Sequence, residues 1–288
     1  MPEQNQGVWN TQRNRPDIRL GFDELNYIIK IIKEVADFDF SHYAASSFQR
    51  RVYRVLEIYP FKSVQELVNR LRTDAQFTAE FIEEVTVNTT ELFRDPEFWQ
   101  EIRDSVLPSL AQHRNIHIWH AGCSTGEEVY SMAITLAEAG LLDRVKITAT
   151  DINETVIKTA ARGHYPERLF KLYDNNYRIF GGKKELSDYY KIENGSIRMN
   201  PELLANVKFR HFNLVGGEVF SKFDLVLCRN VMIYFDKVLQ DQVSKLFYSS
   251  LFKYGFLAVG SKESLIWCSV SHKFKTISND NKIYQARV

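Results

Sequence analysis

The sequence predicts an α/β protein: a doubly wound sheet with an inserted small antiparallel β-subdomain, preceded by an all-α N-terminal domain. Three observations lead to this prediction. Up to about residue 92, apolar residues follow only the 3.6-residue period of helices. From about residue 111, buried strands alternate with amphipathic helices. A hairpin signal interrupts that alternation once, which indicates the inserted lobe.

The composition is that of an ordinary soluble globular protein. Of the 288 residues, 44% are hydrophobic and 25% are charged, and 37 basic against 36 acidic side chains give a net charge of +1. At roughly 150 residues per domain, this length fits one large or two smaller domains. The neutral balance excludes a polycation along the whole chain, so nucleic acid is not an expected partner.

The first part of the chain is predicted to be a polar, disordered tail over 1–19 and a four-helix domain over 20–87. Asp23 is expected to cap the first helix, and Ser63 with Glu66 forms a capping box for the third. The expected apolar stripe of the first helix is Leu25, Ile28, Ile29, Ile32 and Val35. The second and fourth helices are expected over about 45–59 and 75–87.

Residues 88–110 are expected to form a linker and one helix that runs from an Asp95–Pro96 start to about residue 111. The α/β domain is then predicted over 111–288. Its strands are expected at 116–122, 145–151, 223–230 and 255–261, its helices at about 127–140, 153–162 and 236–252, and a closing hairpin adds an antiparallel edge. The β-subdomain is expected over about 186–214, because Asn194–Gly195 is a type I′ turn signal and the run 207–214 follows it.

The strongest functional motif is HAGCSTGEE, at 120–128, between a predicted strand and a helix. Glycines at 122 and 126 allow a ligand close to the backbone, next to the free N–H groups of a helix start. The nucleotide fingerprint G-x-G-x-x-G is absent. Glu127 and Glu128 stand where a pyrophosphate would otherwise bind, so the motif favours a ligand with a cation. A plain tight turn is the alternative.

Three further segments complete the candidate site. Asp151 ends the second predicted strand, where an acid accepts hydrogen bonds from ribose hydroxyls. A helix cap for 153–162 is the alternative, and one residue could fill both roles. The segment NTTELFRDP, at 88–96, joins the two predicted domains. Asn230 and Tyr234 of CRNVMIYF follow the third strand, where ligands bind in such sheets. The glycine turn and Asp151 together favour an adenosine-containing ligand.

Four motifs in this order, NTTELFR, AGCSTGEEVYS, TDI and CRNVMIYF, resemble those of the chemotaxis-receptor methyltransferase family, CheR. The resemblance extends from about Phe22 to the C-terminus. It implies a class I methyltransferase (Rossmann-like) domain that uses S-adenosylmethionine and releases S-adenosylhomocysteine. It also implies a protein-glutamate O-methyltransferase that acts on chemoreceptor cytoplasmic helices.

The resemblance assigns roles motif by motif. Glu128 is expected at the methionine end or sulfonium region, Asp151 at the ribose, and Asn213 with Leu214 beside the adenine. Arg94 and Tyr234 would face the transferred methyl group and the incoming carboxylate as the catalytic pair. The full set of implied cofactor contacts is Asn88, Thr90, Arg94, Glu128, Asp151, Asn213, Leu214, Asn230 and Val231.

Substrate docking is expected on the second helix, where Arg50, Arg51 and Arg54 share a face. Methylated receptor helices are acidic, so charge would favour binding there; a solvated helix face is the alternative. The short turn at 193–196 lacks the Gly-rich loop with which some family members hold a receptor-tail pentapeptide, so tight binding of that peptide is not expected. A monomer is expected.

Cysteine spacing and hydropathy give the remaining expectations. Cys123, Cys228 and Cys268 are far apart and form no CxxC pair, so neither a disulfide framework nor a bound metal is expected. Without a signal peptide or an apolar run of about 18 residues, the chain is expected in the cytoplasm and not inserted in a membrane. Two alternatives stay open: a non-catalytic S-adenosylmethionine-binding signalling protein, or a methyltransferase of another substrate class.

Overall fold

The computed structural model describes residues 18–36, 38–86 and 89–287. The predicted tail falls almost entirely outside these residues. The described chain divides into two compact units, one formed by 18–41 with 45–85 and the other by 42–44 with 86–287. The short segment 42–44 therefore belongs to the second unit, although both of its flanks belong to the first.

The first unit contains four helices, α1 (Phe22–Ala36), α2 (Ala45–Ile58), α3 (Val64–Thr73) and α4 (Ala75–Val85). The prediction that Asp23 caps α1 is wrong. The helix already includes Phe22, and the N–H of Leu25 donates to the carbonyl of Gly21 at 3.1 Å. The buried stripe of α1 uses Ile31, whereas Val35 is exposed.

The capping box before α3 is half correct. The Ser63 hydroxyl accepts the N–H of Glu66 at 3.2 Å, as predicted. The Glu66 carboxylate, however, accepts the N–H of Lys62 at 2.7 Å. The N–H of Glu66 lies in the first turn of α3 and that of Lys62 lies before the helix, so neither has a partner inside the helix.

The helix after the linker is interrupted. It consists of α5 (Pro96–Glu101), a π-helical segment (Ile102–Val106) and α6 (Leu107–Leu110). Pro108 has no N–H to donate to the preceding turn, so regular α-helical bonding cannot continue through it. Asp95 occupies the predicted N-cap position, with Pro96 as the first helical residue, but it has φ +56° and its side chain makes no capping hydrogen bond. Its carboxylate instead binds Arg229 at 2.6 Å.

The rest of the second unit alternates strands and helices. In chain order these are β1 (Ile116–Ala121), α7 (Glu127–Glu138), β2 (Val145–Asp151), α8 (Glu154–Arg162), β3 (His164–Pro166), α9 (Phe170–Phe180), β4 (Tyr190–Glu193), β5 (Ser196–Met199), β6 (Val207–His211), β7 (Phe223–Cys228), α10 (Lys237–Ser250), β8 (Leu251–Val259), β9 (Phe274–Ser278) and β10 (Ile283–Ala286). The predicted strands at 145–151 and 116–122 agree with β2 and, to within one residue, with β1.

The main sheet has seven strands in the order β6-β2-β1-β7-β8-β10-β9. The first five are parallel, and β10 and β9 form the predicted antiparallel edge. Side chains alternate between the two faces: Ile116 and Ile118 of β1 pack into the cluster that includes α7, whereas Trp119 and Ala121 pack into the cluster that includes α10. Helices therefore cover both faces, as a doubly wound sheet requires.

The small lobe is a three-stranded antiparallel sheet in the order β3-β5-β4. Its hairpin turns at Asn194 and Gly195, with φ values of +50° and +73°, which confirms the predicted turn. The prediction that 207–214 belongs to the lobe is wrong, because β6 pairs in parallel with β2. The third lobe strand is β3, a three-residue strand too short to give an alternating pattern.

Candidate active site

Two loops meet where the strand order reverses, at the carboxyl ends of β1 and β7. These strands are parallel neighbours, so the glycine loop 122–126 and the loop 229–236 leave the same edge of the sheet. Gly122 has φ +80°, and a Cβ there would lie 2.5 Å from Cγ2 of Val231. Two motifs more than 100 residues apart in sequence are thus in direct contact.

Asp151 lies at the same edge, at the end of β2. Its Oδ2 accepts the N–H of Ser124 at 2.8 Å, and its Oδ1 accepts the N–H of Asn153 at 3.0 Å. Burial raises the pKa of this carboxyl, while these backbone hydrogen bonds oppose the rise. The alternative that Asp151 caps α8 is wrong, because Asn153 is the cap and accepts the N–H of Thr155 at 2.8 Å.

The surroundings of Asp151 contain polar atoms that suit a ligand with hydroxyl groups. The Ser124 hydroxyl and the Asn153 side-chain nitrogen are buried and have no hydrogen-bond partner within the described part of the chain. Both belong to the residues whose N–H groups hold Asp151. Buried polar groups normally find partners. A bound ribose would supply them, so these residues fit the adenosyl group of S-adenosylmethionine.

Asn213 and Leu214 follow β6, beside Asp151. The N–H of Phe212 donates to the carbonyl of Asp151 at 2.9 Å, which fixes the start of this turn. The Asn213 side chain accepts the N–H of Val215 at 2.9 Å. The predicted adenine-flanking pair is therefore half-buried in a turn next to the predicted ribose-binding acid.

The two adjacent acids of the glycine motif have different environments. Glu127 is buried and accepts hydrogen bonds from Thr125 at 2.6 Å and Tyr173 at 3.0 Å, and burial raises its pKa. Burial would also raise the pKa of Glu128, but His120 and Arg229 outweigh it and leave that pKa below its usual value. Of the two acids, Glu128 is therefore the one whose charged form its surroundings favour, which suits it to face a cation.

Arg229 connects the parts of the site, and sequence reasoning missed it. Its guanidinium lies 3.4 Å from the Glu128 carboxylate and 2.6 Å from Asp95, and it stacks over Phe98 at 3.8 Å from the ring centroid. It also donates to the carbonyl of Arg94 at 3.4 Å. Arg229 is the second residue of the CRNV motif. Its burial could not be predicted, because no sequence spacing indicates that an arginine at a strand end is buried.

The linker is anchored at the same place. Phe93, with φ +50°, is fully buried, and its N–H donates to the Ser131 hydroxyl of α7 at 2.8 Å. Arg94 and Thr90 are half-buried, and the Arg94 guanidinium donates to the carbonyl of Thr89 at 3.2 Å. Asn88, the remaining predicted linker contact, lies outside the described residues.

The loop after β7 is held by a second residue that sequence reasoning missed, Glu263. Its buried carboxylate accepts the N–H groups of Asn230 at 3.0 Å, Ile233 at 3.1 Å and Gly260 at 2.5 Å. Asn230 has φ +60°, so this loop needs such support. Glu263 follows the carboxyl end of β8. The rule that ligand-binding residues follow strand ends could have indicated it.

Tyr234 belongs to this loop and is held by the segment 42–44, here called the strap. The N–H of Ala44 donates to the carbonyl of Tyr234 at 2.8 Å, and the N–H of Asp236 donates to the carbonyl of His42 at 2.9 Å. Tyr43 packs edge-on against Phe235, with ring centroids 5.5 Å apart. Burial raises the pKa of Tyr43, and the nearby Asp151 carboxylate raises it further.

The predicted docking arginines belong to the other unit, on α2. Arg50 and Arg54 are exposed and Arg51 is half-buried. Arg54 pairs with Glu84 of α4 at 3.3 Å, so part of its charge is neutralised within the unit. The three side chains do share a helix face, but the face is less strongly basic than the sequence indicates.

Within the described residues, no cluster of three or more potential metal ligands is present, and no helix is long and apolar enough to cross a membrane. Cys123, Cys228 and Cys268 are all buried free thiols. Burial raises the pKa of all three, so none is activated as a thiolate.

Comparison with protein-family models gives two matches. Residues 88–283 match CheR methyltransferase, SAM binding domain, and residues 23–86 match CheR methyltransferase, all-alpha domain. The two matches together cover both units of the fold.

Three curated proteins are similar over most of their length. A putative methyltransferase Cher3 of Pseudomonas putida is 38% identical over 262 residues, which cover 91% of this chain and 96% of that protein. A chemotaxis protein methyltransferase of Borreliella burgdorferi is 32% identical over 274 residues, covering 89% and 94%. Chemotaxis protein methyltransferase 2 of Pseudomonas aeruginosa is 32% identical over 259 residues, covering 79% and 90%.

Proposed function

The chain belongs to the CheR methyltransferase family, and from this we propose that it esterifies glutamate side chains on the cytoplasmic helices of chemoreceptors. The methyl donor of the family domain is S-adenosylmethionine. One observation supports the proposal most strongly. The glycine loop and the CRNV loop meet at the switch point of the sheet, and beside them lie Glu128, whose charged form is favoured, and the buried Asp151.

We propose that the cofactor is held along this edge of the sheet. Asp151 would bind the ribose. The ribose would also provide hydrogen-bond partners for the Ser124 hydroxyl and the Asn153 side-chain nitrogen, which have none in the described part of the chain. Glu128 would face the positively charged methionine end. The remaining proposed contacts are Asn88, Thr90, Arg94, Asn213, Leu214, Asn230 and Val231.

Methylation of a carboxylate needs no acid–base catalysis by the protein. S-adenosylmethionine supplies a methyl group activated by its attachment to a positively charged sulfur. A glutamate carboxylate is already ionised near neutral pH, so no general base has to remove a proton. Opposite charges are neutralised as the ester forms. The protein's contribution is therefore alignment and exclusion of water.

Arg94 and Tyr234 are the proposed catalytic residues. A guanidinium can hold the incoming carboxylate by a charge-assisted hydrogen bond. The Tyr234 hydroxyl can hydrogen-bond beside the transferred methyl group. Arg94 belongs to the anchored linker, and Tyr234 to the loop fixed by the strap and Glu263. The backbone of both residues is thus fixed by hydrogen bonds, which favours accurate alignment of their side chains with the reacting groups.

Substrate binding is proposed to involve Arg50, Arg51 and Arg54, and receptor-tail pentapeptide binding is proposed to be weak. The hairpin turn of the lobe is only Asn194–Gly195, and its Gly195 has open space around it. Because the modified receptor helices are cytoplasmic, the protein is proposed to act in the cytoplasm. It is also proposed to be a monomer.

The direct test is transfer of a labelled methyl group from S-adenosylmethionine to purified chemoreceptor cytoplasmic fragments. Label that enters the fragment and is released as methanol in mild base identifies a carboxyl methyl ester. Replacing the modified glutamates with alanine should abolish incorporation. Cofactor binding without transfer to any receptor fragment would instead favour a non-catalytic signalling role, and label entering RNA or a small metabolite would indicate another substrate class.

A further inference from the structure

Two apolar side chains stand in solvent on the loop after β8. Trp267 is 80% exposed and Ile266 is 71% exposed, and Trp267 is the most exposed large apolar side chain of the described residues. A tryptophan usually buries most of its large surface. An exposed apolar patch on a folded protein commonly marks an interaction site.

The backbone of this loop is fixed by buried side chains and hydrogen bonds on both sides of Ile266 and Trp267. Leu265 and Cys268, which flank the pair, are buried, and the N–H of Cys268 donates to the carbonyl of Leu265 at 2.9 Å. The N–H of Ser269 donates to Asp241 of α10 at 2.6 Å. The exposure of Trp267 therefore comes from a fixed backbone and not from an untethered segment.

The patch is connected to the loop that carries Tyr234 through two residues, Glu263 and Lys237. Glu263, which holds the loop of Asn230 and Ile233, lies only four residues before Trp267. Lys237 places its ammonium 5.6 Å from the centroid of the Trp267 ring, and Lys237 follows Tyr234 by three residues. Trp267 thus contacts the start of the helix that follows the Tyr234 loop, and we infer that a protein segment presenting a carboxylate to Tyr234 can also reach Trp267.

The charges around the patch are cationic. Lys237 and Lys262 are exposed, and no ion pair joins either of them to a carboxylate in the described ranges. The nearby acids are already engaged: Asp241 pairs with Lys245 at 2.7 Å, and Asp236 caps α10 and contacts His42 at 3.2 Å. The surface thus combines an apolar centre with unpaired positive charge.

We propose that Ile266, Trp267 and Lys237 form the docking surface for the receptor helix beside the glutamate that is methylated. The occupant is an amphipathic helix whose apolar residues cover Trp267 and whose carboxylates meet Lys237 and Lys262. The inference rests on the proposed function and deepens it. It assigns binding of the segment around the reacting glutamate to the catalytic unit itself, apart from the arginines of α2.

The test compares Trp267→Ser and Lys237→Glu with the wild-type chain in methylation of a receptor cytoplasmic fragment. Truncating a central aromatic anchor should raise KM for the fragment roughly tenfold, with kcat and the Kd for S-adenosylmethionine changed less than about twofold. The matched control is Tyr254→Ser. Tyr254 is a 60% exposed aromatic residue near the amino end of β8, away from the carboxyl ends of the strands. It should leave KM unchanged.

A binding measurement separates this inference from the proposed function. In a Trp9→Phe background, adding the receptor fragment should protect the exposed tryptophan from acrylamide quenching, whether or not methyl transfer occurs. Protection together with a raised KM in Trp267→Ser supports the docking surface. Unchanged KM and unchanged quenching would overturn it even if the wild-type chain methylates receptors. Protection without methylation of any fragment would support the surface and reject the esterification.

Discussion

Glu127 and Glu128 are neighbours of the same residue type, yet the fold gives them opposite environments. The first is enclosed by Thr125 and Tyr173, and burial raises its pKa. The second meets His120 and Arg229, which lower its pKa. The residue that can face a sulfonium is therefore determined by its partners and not by residue type.

Replacing Arg94 with alanine should lower kcat by roughly 100-fold, a typical cost of losing a group that aligns or stabilises the reacting atoms. The Kd for S-adenosylmethionine, measured by calorimetry, should change by less than about threefold, because most proposed cofactor contacts remain. Arg94→Lys should recover part of the rate. A variant that binds cofactor normally and methylates at the wild-type rate would exclude the catalytic role.

Arg229→Met should weaken cofactor binding and destabilise the fold. The change leaves Glu128 and Asp95 without their cation, and removing one partner of a buried ion pair costs roughly 3–5 kcal/mol. Because Asp95 is partly exposed, the lower end of this range is expected. Thermal unfolding and calorimetric titration with S-adenosylmethionine measure the two effects.

The matched control for this prediction is a double-mutant cycle with Glu128→Gln. Since the two residues interact directly, the double variant should lose less stability than the sum of the single losses. Simple additivity would mean that Arg229 acts on stability without Glu128, contrary to the geometry.

At the level of whole elements, the strand-to-helix turn after β1 depends on close contact between two loops. Gly122→Ala should abolish S-adenosylmethionine binding, because its new Cβ would lie 2.5 Å from Val231 and φ is +80°. Gly140→Ala is the matched control: it also has positive φ, but its Cβ would meet nothing within 4 Å. It should cost only about 1–2 kcal/mol of backbone strain and leave binding intact.

The strap is a second element with a testable role. Ala44→Pro removes the N–H that donates to Tyr234, so the loop should loosen and kcat should fall several-fold. Ser46→Pro is the control, since it places proline in the first turn of α2, where the N–H has no helical partner. Helix content by circular dichroism should be the same for both variants. Equal kcat for both would show that the strap does not support Tyr234.

Over the whole molecule, the near-neutral charge conceals local imbalance. Residues 42–62 contain four basic and one acidic side chain, and 74–91 contain five acidic and no basic ones. The structure joins part of these opposite charges through Arg54 and Glu84. The sequence alone therefore overstates the positive charge available to a receptor.

If the arginine face of α2 binds the receptor, KM for a receptor fragment should rise with ionic strength, because salt screens exposed charges beyond about 10 Å at 0.1 M. Arg50→Glu should raise KM at low salt and flatten this dependence. Lys275→Glu, an exposed charge change on β9, is the control and should do neither. A salt dependence identical in Arg50→Glu and wild type would exclude this docking face.

The regular elements and the order of the motifs could be predicted from the sequence, because apolar periodicity, turn residues and caps act locally. Helix α2, strand β2 and the Asn194–Gly195 turn illustrate this. The pairing of β6 with β2 in the main sheet could not be predicted, because the sequence of a strand does not indicate which sheet it joins. The position of Asp95 at the N-cap of α5 was predicted, but the partner of its side chain was not: the carboxylate pairs with Arg229, far along the chain.

The sequence by itself determined the family, the cofactor class and the motifs that carry the chemistry, because these depend on residue types at short spacing. Only the tertiary structure decided which side chains support them. Arg229 and Glu263 act through contacts that span long stretches of chain, and the strap belongs to the catalytic unit although its neighbours do not. Such contacts depend on how strands and loops meet in space, and no local periodicity encodes that.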